Sequence, residues 1–181
     1  MDKPTNKQFD ADYFQRIYET TNWYGNARRG RCPSVRLLPF FKSYLKGKIV
    51  EFGCGRGQLV EQLKTEGFDC QGYDQIDLDN AMHVADITED IDVQGDVAIC
   101  IDCIEHIYDH DLLGLFENMK KFSTQVMSIH NGKSMHKGVE LHINKKPFAA
   151  WREFIKAAGF EIIEEQLIHK HQILLVTEYN N

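Results

Sequence analysis

The sequence lacks any apolar run long enough to span a bilayer, and its first residues contain no apolar stretch typical of a secretory signal. It has five cysteines, an odd number, at spacings unlike those of a small disulfide scaffold. Basic residues are fewer than acidic ones, 21 against 27, so the net charge of -6 disfavours nucleic acid as a partner. We therefore expect a cytoplasmic protein with reduced thiols and no membrane partner.

Patterns that would predict a metal or redox site are also incomplete. The C-x-x-C pair of Cys100 and Cys103 has no second pair at zinc-finger spacing, and it follows a strand-like run instead of opening a helix. His106 and His110 have the i, i+4 spacing of two ligands on one helix, but no further ligand is identifiable beside them. The sequence therefore predicts no metal.

The length and hydrophobic content are those of one globular domain. The chain has 181 residues, of which 43% are hydrophobic, and it contains no repeat or low-complexity segment. Residues 10–21 and 33–44 show helical spacing of apolar residues, and an aromatic link with Trp23 and Tyr24 joins them. We expect residues 1–47 to form a helical cap or lid on a core formed by residues 48–181.

From residue 48 onward, short strand-like runs alternate with amphipathic helices. Strands are predicted at residues 48–52, 69–73, 96–101, 125–129, 161–168 and 172–177, and helices at 58–65, 112–121 and 147–158. This alternation predicts an α/β fold with a doubly wound, mostly parallel sheet that helices cover on both faces. The last two strands are too close in sequence for a crossover helix, so they should pair antiparallel.

A glycine-rich loop follows the first predicted strand of the sheet, where open α/β sheets bind ligands. It reads EFGCGRG over residues 51–57. A dinucleotide fingerprint would need glycine where Gln58 stands, and a P-loop would need a following Gly-Lys-Ser/Thr. Glu51 beside the loop disfavours a pyrophosphate but suits a ligand with ammonium and sulfonium charges, which favours S-adenosylmethionine.

The loop resembles the first motif of the class I S-adenosylmethionine-dependent methyltransferases. The likeness continues through Gly72-Tyr73-Asp74, Ala85-Asp86-Ile87 and residues 96–107, in the order typical of that family, and it covers about residues 48–177. This resemblance implies a Rossmann-like methyltransferase fold with a seven-stranded, mostly parallel sheet whose last strand is antiparallel. It also implies S-adenosylhomocysteine as the product of the cofactor.

The resemblance places a cofactor site on the loops after the first, second and fourth strands. Asp74 would accept hydrogen bonds from the ribose hydroxyls, and Asp102 with Cys103 would border the methyl group. Tyr24 would cover the cofactor as part of the lid. The cofactor-binding residues implied in this way are Glu51, Gly53, Cys54, Gly55, Gly57, Asp74, Gln75, Asp86, Ile87, Asp102 and Cys103, and the lid hypothesis for the aromatic link adds Tyr24.

Three histidines are candidates for catalysis near the same edge of the sheet. His106 follows the fourth strand, His130 follows the fifth, and His142 lies in the polar segment before Pro147. Methyl transfer from a sulfonium depends on positioning, and an oxygen acceptor also loses a proton that a histidine can take. We therefore predict His106, His130 and His142 as the catalytic residues.

Two further stretches narrow the resemblance. Residues 101–107 and 141–151 are similar to small bacterial or phage methyltransferases of glycan and small-molecule pathways, which implies O- or N-methylation of a small molecule or glycan precursor. The Asp/Asn-Pro-Pro-aromatic motif of amino-directed DNA methyltransferases is missing after the fourth strand. A methyltransferase acting on RNA, DNA or protein and a non-catalytic cofactor-binding module remain alternatives, and the sequence leaves homo-oligomer formation open.

Overall fold

The computed structural model describes residues 11–20, 32–76 and 83–180, except the side chains of residues 18–20. Among these residues, no helix has both the length and the apolar character that a membrane span requires. The predicted lid residue Tyr24, and Trp23 beside it, lie outside the described residues.

Seven strands form one sheet with the order β3-β2-β1-β4-β5-β9-β8. The strand β9 pairs antiparallel with both of its neighbours, and the other pairings are parallel, so the prediction of a mostly parallel sheet with an antiparallel last strand is confirmed. A separate two-stranded hairpin, β6 with β7, lies between β5 and the following helix. The strands are β1 Lys48–Phe52, β2 Asp69–Asp74, β3 His83–Val84, β4 Val97–Cys100, β5 Thr124–His130, β6 Met135–His136, β7 Val139–Glu140, β8 Glu161–His169 and β9 Gln172–Glu178.

Five α-helices accompany the strands within the described ranges. They are α1 Ala11–Thr20, α2 Pro33–Phe41, α3 Gln58–Thr65, α4 Asp109–Met119 and α5 Phe148–Ala157. Short 3₁₀ turns span Lys42–Tyr44 and Ile104–His106. Sequence spacing predicted α3 at its observed bounds, whereas α4 begins three residues earlier than expected because Asp109 and Asp111 favour a helix N-terminus.

The sheet separates two hydrophobic clusters, as its period-two alternation requires. Val50 and Phe52 of β1 belong to the cluster that also contains apolar residues of α4 and α5. Ile49 belongs to the other cluster, which contains apolar residues of α2 and α3. Helices therefore cover both faces, and the carboxyl ends of β1, β2, β4 and β5 meet at one edge.

Two predictions about local structure require correction. His106 and His110 do not share a helix, because His106 ends a 3₁₀ turn, Ile107 is extended and α4 begins only at Asp109. The strand β3 and the hairpin β6–β7 have no counterpart among the predicted elements. Each of these strands has two residues, which is too short for an alternating pattern to be recognised.

Candidate functional site

The glycine loop between β1 and α3 is bound to the end of β2. Gly53 and Cys54 donate their amides to the carbonyl of Tyr73, at 2.8 and 3.1 Å, and Gly55 donates its amide to Oδ2 of Asp74 at 2.7 Å. Gly53, Gly55 and Gly57 all have positive φ, between 52° and 72°, a region that favours glycine. Gly57 is the N-cap of α3, so the loop leads directly into the first turn of that helix.

Close packing adds a second reason for glycine at position 53. A Cβ placed on Gly53 would lie 2.6 Å from Sγ of Cys103, which follows β4. Across the loop, a Cβ on Gly72 would lie 2.7 Å from Sγ of Cys54. The absence of side chains therefore lets the loop contact the segment where the predicted methyl-bordering residues stand.

Glu51 provides an acidic group beneath this loop. Its side chain is buried, and among the described residues Oε2 has no hydrogen-bond partner. Burial is the main cause that raises the pKa of Glu51 to about 8. A hydrogen bond from Ser34 lowers the pKa, and the charge of Asp74 raises it. A buried carboxyl oxygen without a partner is costly unless a donor or cation reaches it, so the site fits a ligand with an ammonium group.

Asp74 ends β2 at the position predicted to bind the ribose. Besides Gly55, it accepts a hydrogen bond from the amide of Ile76, at 3.3 Å. Burial raises its pKa, although the amides of Gly55, Ile76 and Gln75 lower it. The carboxyl group thus also holds the glycine loop, a role that the sequence had not indicated.

The two predicted residues near the adenine edge differ in their surroundings. Ile87 is buried, and its side chain would lie 3.9 Å from a Cβ placed on Gly53, close to the loop. Asp86 accepts hydrogen bonds at Oδ1 from the amide and the hydroxyl of Thr88, at 2.9 and 2.7 Å. Ile87 is therefore next to the candidate cofactor site, whereas the carboxylate of Asp86 organises a turn.

Asp102 occupies a backbone conformation unusual for its residue type. Its φ is +48°, which costs on the order of 1–3 kcal/mol for a residue other than glycine. The hydroxyl of Ser128 and the amide of Gln172 both donate to its Oδ1, at 2.5 and 2.6 Å, and these contacts hold the strained turn after β4. The hydrogen bond to Cys100 and burial raise the pKa of Cys103, which keeps its thiol protonated.

The three predicted catalytic histidines come together. The ring centroids of His106 and His142 are 4.8 Å apart, and those of His130 and His142 are 5.2 Å apart. His169 extends this row, with its ring 5.3 Å from that of His130. Since β4, β5 and the segment after β7 each contribute one of the three, only the folded chain makes them neighbours.

Backbone carbonyls determine the tautomers of two of these rings. Nδ1 of His106 lies 2.9 Å from the carbonyl oxygen of Leu141, and Nδ1 of His142 lies 2.6 Å from that of Gly132. Because a carbonyl only accepts, each Nδ1 is a donor and each Nε2 of the neutral ring keeps its lone pair. Burial lowers the pKa of His106 to about 4, and it also lowers those of His130 and His142, so the rings are neutral near pH 7.

Glu105 completes the cluster and was missed by the sequence analysis. It is fully buried, and its Oε1 accepts the amide of His130 at 3.2 Å and lies 3.9 Å from Nε2 of His142. Its Oε2 has no hydrogen-bond partner in the part of the chain that the structure describes. One ligand atom from each of Glu105, His106 and His142 lies within 4.8 Å of the others, which is an arrangement that can hold a metal ion. The available signal was a carboxylate directly before His106.

The segment that carries His142 is fastened to the turn after β4. Asn144 donates its amide to the carbonyl of Glu105 at 3.0 Å, and its buried Nδ2 donates to the carbonyl of Ile107 and to Oδ1 of Asp109, both at 2.8 Å. The fully buried Trp151 donates its indole N–H to Asn131 at 3.2 Å, next to His130. These contacts hold the histidines in place from behind.

The helix α1 covers the same region from the other side. Ile17 and Leu141 form a small buried cluster, and partly buried Tyr13 and Phe14 pack against it. The ring of Phe14 also meets that of His106 edge-on, at 6.0 Å between centroids. The N-terminal helix therefore lies beside the histidines.

Comparison with known proteins agrees with this architecture. A family model described as a methyltransferase domain matches residues 24–165. No curated protein matches the sequence significantly.

Several solved structures share the fold at low sequence identity. A protein of Pyrococcus horikoshii OT3 is 16% identical, with a TM-score of 0.74 over 91% of this chain and 99% of that one. The magnesium protoporphyrin IX methyltransferase of Synechocystis PCC 6803, solved with bound S-adenosylmethionine, is 14% identical, with a TM-score of 0.69 over 99% of this chain and 100% of that one. The glycopeptide N-methyltransferase MtfA, also solved with S-adenosylmethionine, is 12% identical, with a TM-score of 0.61 over 81% and 87% of the respective chains.

Proposed function

The chain belongs to the methyltransferase-domain family and is an S-adenosylmethionine-dependent methyltransferase, and we propose that it methylates a hydroxyl or amino group of a small molecule or glycan precursor. The main support for this proposal is the cluster of His106, His130 and His142, which lies at the edge where the glycine loop contacts Cys103. Cofactor and acceptor sites would thus adjoin.

The cofactor assignment is supported by features of this chain. Glu51 offers an unpartnered buried carboxyl oxygen to the ammonium group, and the positive-φ glycines allow a ligand to approach the main chain. We propose that Asp74, at the end of β2, binds the ribose hydroxyls and that Ile87 lies against the adenine. When bound, S-adenosylmethionine supplies an electrophilic methyl group and leaves S-adenosylhomocysteine.

Of the three histidines, His130 is our proposed base. The rings of His106 and His142 are tied through Nδ1 to backbone carbonyls. Within the described part of the chain, neither ring nitrogen of His130 has a hydrogen-bond partner, so either is available to an acceptor. As the acceptor oxygen bonds to the methyl carbon, its proton passes to a ring nitrogen of His130, and the carbon–sulfur electron pair stays on sulfur.

The covering of the site supports a small acceptor. Contacts of Phe14 with His106 and of Ile17 with Leu141 place α1 over the histidines, which favours an enclosed pocket over an open groove. We propose that residues 1–47 act as a cap, and that the chemistry takes place at the carboxyl ends of β4 and β5. The related magnesium protoporphyrin IX and glycopeptide N-methyltransferases give this fold a precedent for such acceptors.

Methyl-labelled S-adenosylmethionine, incubated with the protein and a fractionated cell extract, tests the acceptor class. We expect label in small molecules or glycan precursors. Label found only in RNA, DNA or protein would contradict the proposed acceptor. With the labelled acceptor in hand, His130→Gln should lower kcat by about 10²–10⁴-fold at unchanged S-adenosylhomocysteine affinity.

The matched control for this variant is His110→Gln. His110 lies on α4 and stacks on Tyr108, outside the row of histidines. The His110→Gln variant should therefore retain the wild-type kcat. A wild-type rate for His130→Gln would rule out His130 as the base while leaving the acceptor class intact.

A further inference from the structure

Glu105, His106 and His142 have the composition and proximity of a three-residue metal site. Their candidate ligand atoms lie within 4.8 Å of one another, and all three side chains are buried or half-buried. We propose that they bind one divalent transition-metal ion, which holds the oxygen of the acceptor beside His130. This inference deepens the proposed function and rests on it for the role of the ion, though not for its binding.

The ligand types support such an ion. Two imidazole nitrogens and one carboxylate oxygen form the set that binds divalent iron, zinc and related metals while leaving positions open for a further ligand. The hard oxygen-only sets that magnesium and calcium prefer are different, because they lack imidazole. The cluster is therefore a site for a transition metal.

The hydrogen bonds behind the two histidines prepare them for coordination. Metal-ligating histidines donate their second ring N–H to a carbonyl or carboxylate, which sets the tautomer and the ring orientation. Here Leu141 and Gly132 supply these carbonyls, at 2.9 and 2.6 Å from Nδ1. Both Nε2 atoms consequently keep a lone pair for a metal.

An independent sign of a cation site is the carboxyl group of Glu105. The side chain is fully buried, and none of the described residues forms a hydrogen bond with its Oε2. The two lysines of the neighbouring segment are engaged elsewhere, Lys145 with Glu140 and Lys146 with Asp109. A cation coordinated by Oε2 would satisfy this buried group, which a protein otherwise leaves orphaned at a cost.

With the ion bound, the histidines would have two different roles, as metal ligands and as the base. With the Nε2 lone pairs of His106 and His142 on the metal, His130 remains as the base of the cluster. A metal-bound hydroxyl is more acidic than a free one, because the cation stabilises the negative charge on oxygen. The metal neither gains nor loses electrons. The oxygen transfers its proton to His130 and forms the bond to the methyl carbon, while the carbon–sulfur bond breaks and its electron pair stays on sulfur.

Cobalt(II) is a direct probe of this site. We would treat the whole protein with EDTA, remove the chelator, add Co²⁺, and follow its visible absorption and the metal content per chain. The expected result is one ion per chain with the absorption of a nitrogen- and oxygen-ligated site. Glu105→Gln and His142→Ala should each weaken binding by at least about 100-fold, since even loss of an outer contact to a ligand costs 10–100-fold.

His110→Ala is the matched control, because this histidine lies close in sequence but outside the cluster. Glu105→Gln keeps the shape of the side chain and an acceptor for the amide of His130, so it should remain folded. Binding of S-adenosylhomocysteine by each variant checks that the fold is intact.

Three outcomes would overturn the proposal: no cobalt bound by the wild type, equal binding by wild type, Glu105→Gln and His142→Ala, or equal loss in His110→Ala. Methylation assays separate this result from the proposed function. Full small-molecule methylation by metal-free protein would reject the metal and keep the function. A metal-binding protein that labels only macromolecules would keep the site and reject the proposed acceptor.

Discussion

The glycine loop after β1 and the histidine cluster after β4 and β5 lie at the same edge of the sheet, yet they are built in different ways. The loop is one continuous stretch, residues 51–57, whose shape depends on backbone conformation and on the absence of side chains. The cluster consists of side chains from three separate segments, held by hydrogen bonds between those segments. Local sequence therefore specifies the first region, and long-range contacts assemble the second.

The largest effect on the glycine loop is expected from Gly53→Ala. A methyl group there would lie 2.6 Å from Sγ of Cys103, and alanine would have to adopt the positive φ of this position. We expect S-adenosylhomocysteine affinity, measured by calorimetry, to fall by roughly 100-fold, or about 2.7 kcal/mol.

Gly67→Ala is the control for backbone strain alone. Gly67 has a φ of +90°, and a Cβ there would meet nothing within 4 Å. It should cost about 1 kcal/mol of folding free energy and leave the affinity unchanged. Equal affinity losses in the two variants would mean that strain, and not the contact with Cys103, requires glycine at position 53.

A smaller effect should distinguish the cluster side. Asn144→Ala removes the buried amide that binds the carbonyl of Ile107 and the carboxylate of Asp109, at a cost of about 1–3 kcal/mol. Because the segment with His142 loses this anchor, we expect kcat to fall by about 10–100-fold at unchanged S-adenosylhomocysteine affinity.

Asn118→Ala is the reciprocal variant. Asn118 is also buried, but its amide donates to the carbonyls of Ile87 and Glu89, on the cofactor side. It should destabilise the fold by a similar amount in urea unfolding and weaken the cofactor instead of slowing the methyl transfer. If both variants altered kcat and affinity alike, the two regions would not be separable.

The smallest effect concerns the charge beneath the loop. The pKa of Glu51 is about 8 because of burial, so this group is largely protonated at pH 7 without ligand. An ammonium group favours the ionised form, so binding should release a proton and the affinity for S-adenosylhomocysteine should rise between about pH 6 and pH 8. Glu51→Gln should bind about tenfold more weakly at pH 8 and lose this part of the pH dependence.

Titration calorimetry in two buffers with different ionisation enthalpies measures the released proton. The ligand's own titration is common to both proteins, so the difference between wild type and Glu51→Gln reports on Glu51. The raised pKa also predicts an effect on stability. Relative to Glu51→Gln, the unliganded wild type should lose free energy of unfolding as the pH rises from about 4.5 to about 8, the pKa values of Glu51 in the unfolded and folded chain. If both proteins released the same number of protons, Glu51 would not be part of the ligand site.

Much of the fold was readable from hydrophobic periodicity. The helix α3, the strand β1 and the antiparallel pairing of β8 with β9 follow from apolar spacing and loop length alone. The hairpin β6–β7 was not, because two-residue strands have no periodicity. It depends on a turn in which Lys137 and Gly138 both have positive φ.

The candidate site divides in the same way. The residues of the loop and Asp74 were predicted from their motif, and the structure adds the hydrogen bonds that Asp74 makes to the loop. Each histidine was expected near the edge of the sheet, but the contacts between their rings were not predicted. Glu105 was missed because its importance comes from its burial and its unpartnered oxygen, and neither is visible in a linear motif.

The sequence by itself determined the α/β sheet, the place of the glycine loop and the class of ligand that an acidic residue beside it favours, because these depend on short-range spacing and on residue type. Only the tertiary structure decided that Glu105, His106 and His142 share one buried point. Segments 37 residues apart reach that point because Asn144 bonds to the turn after β4 and the carbonyls of Leu141 and Gly132 orient the rings. Such contacts depend on the packing of the whole chain, which no local pattern encodes.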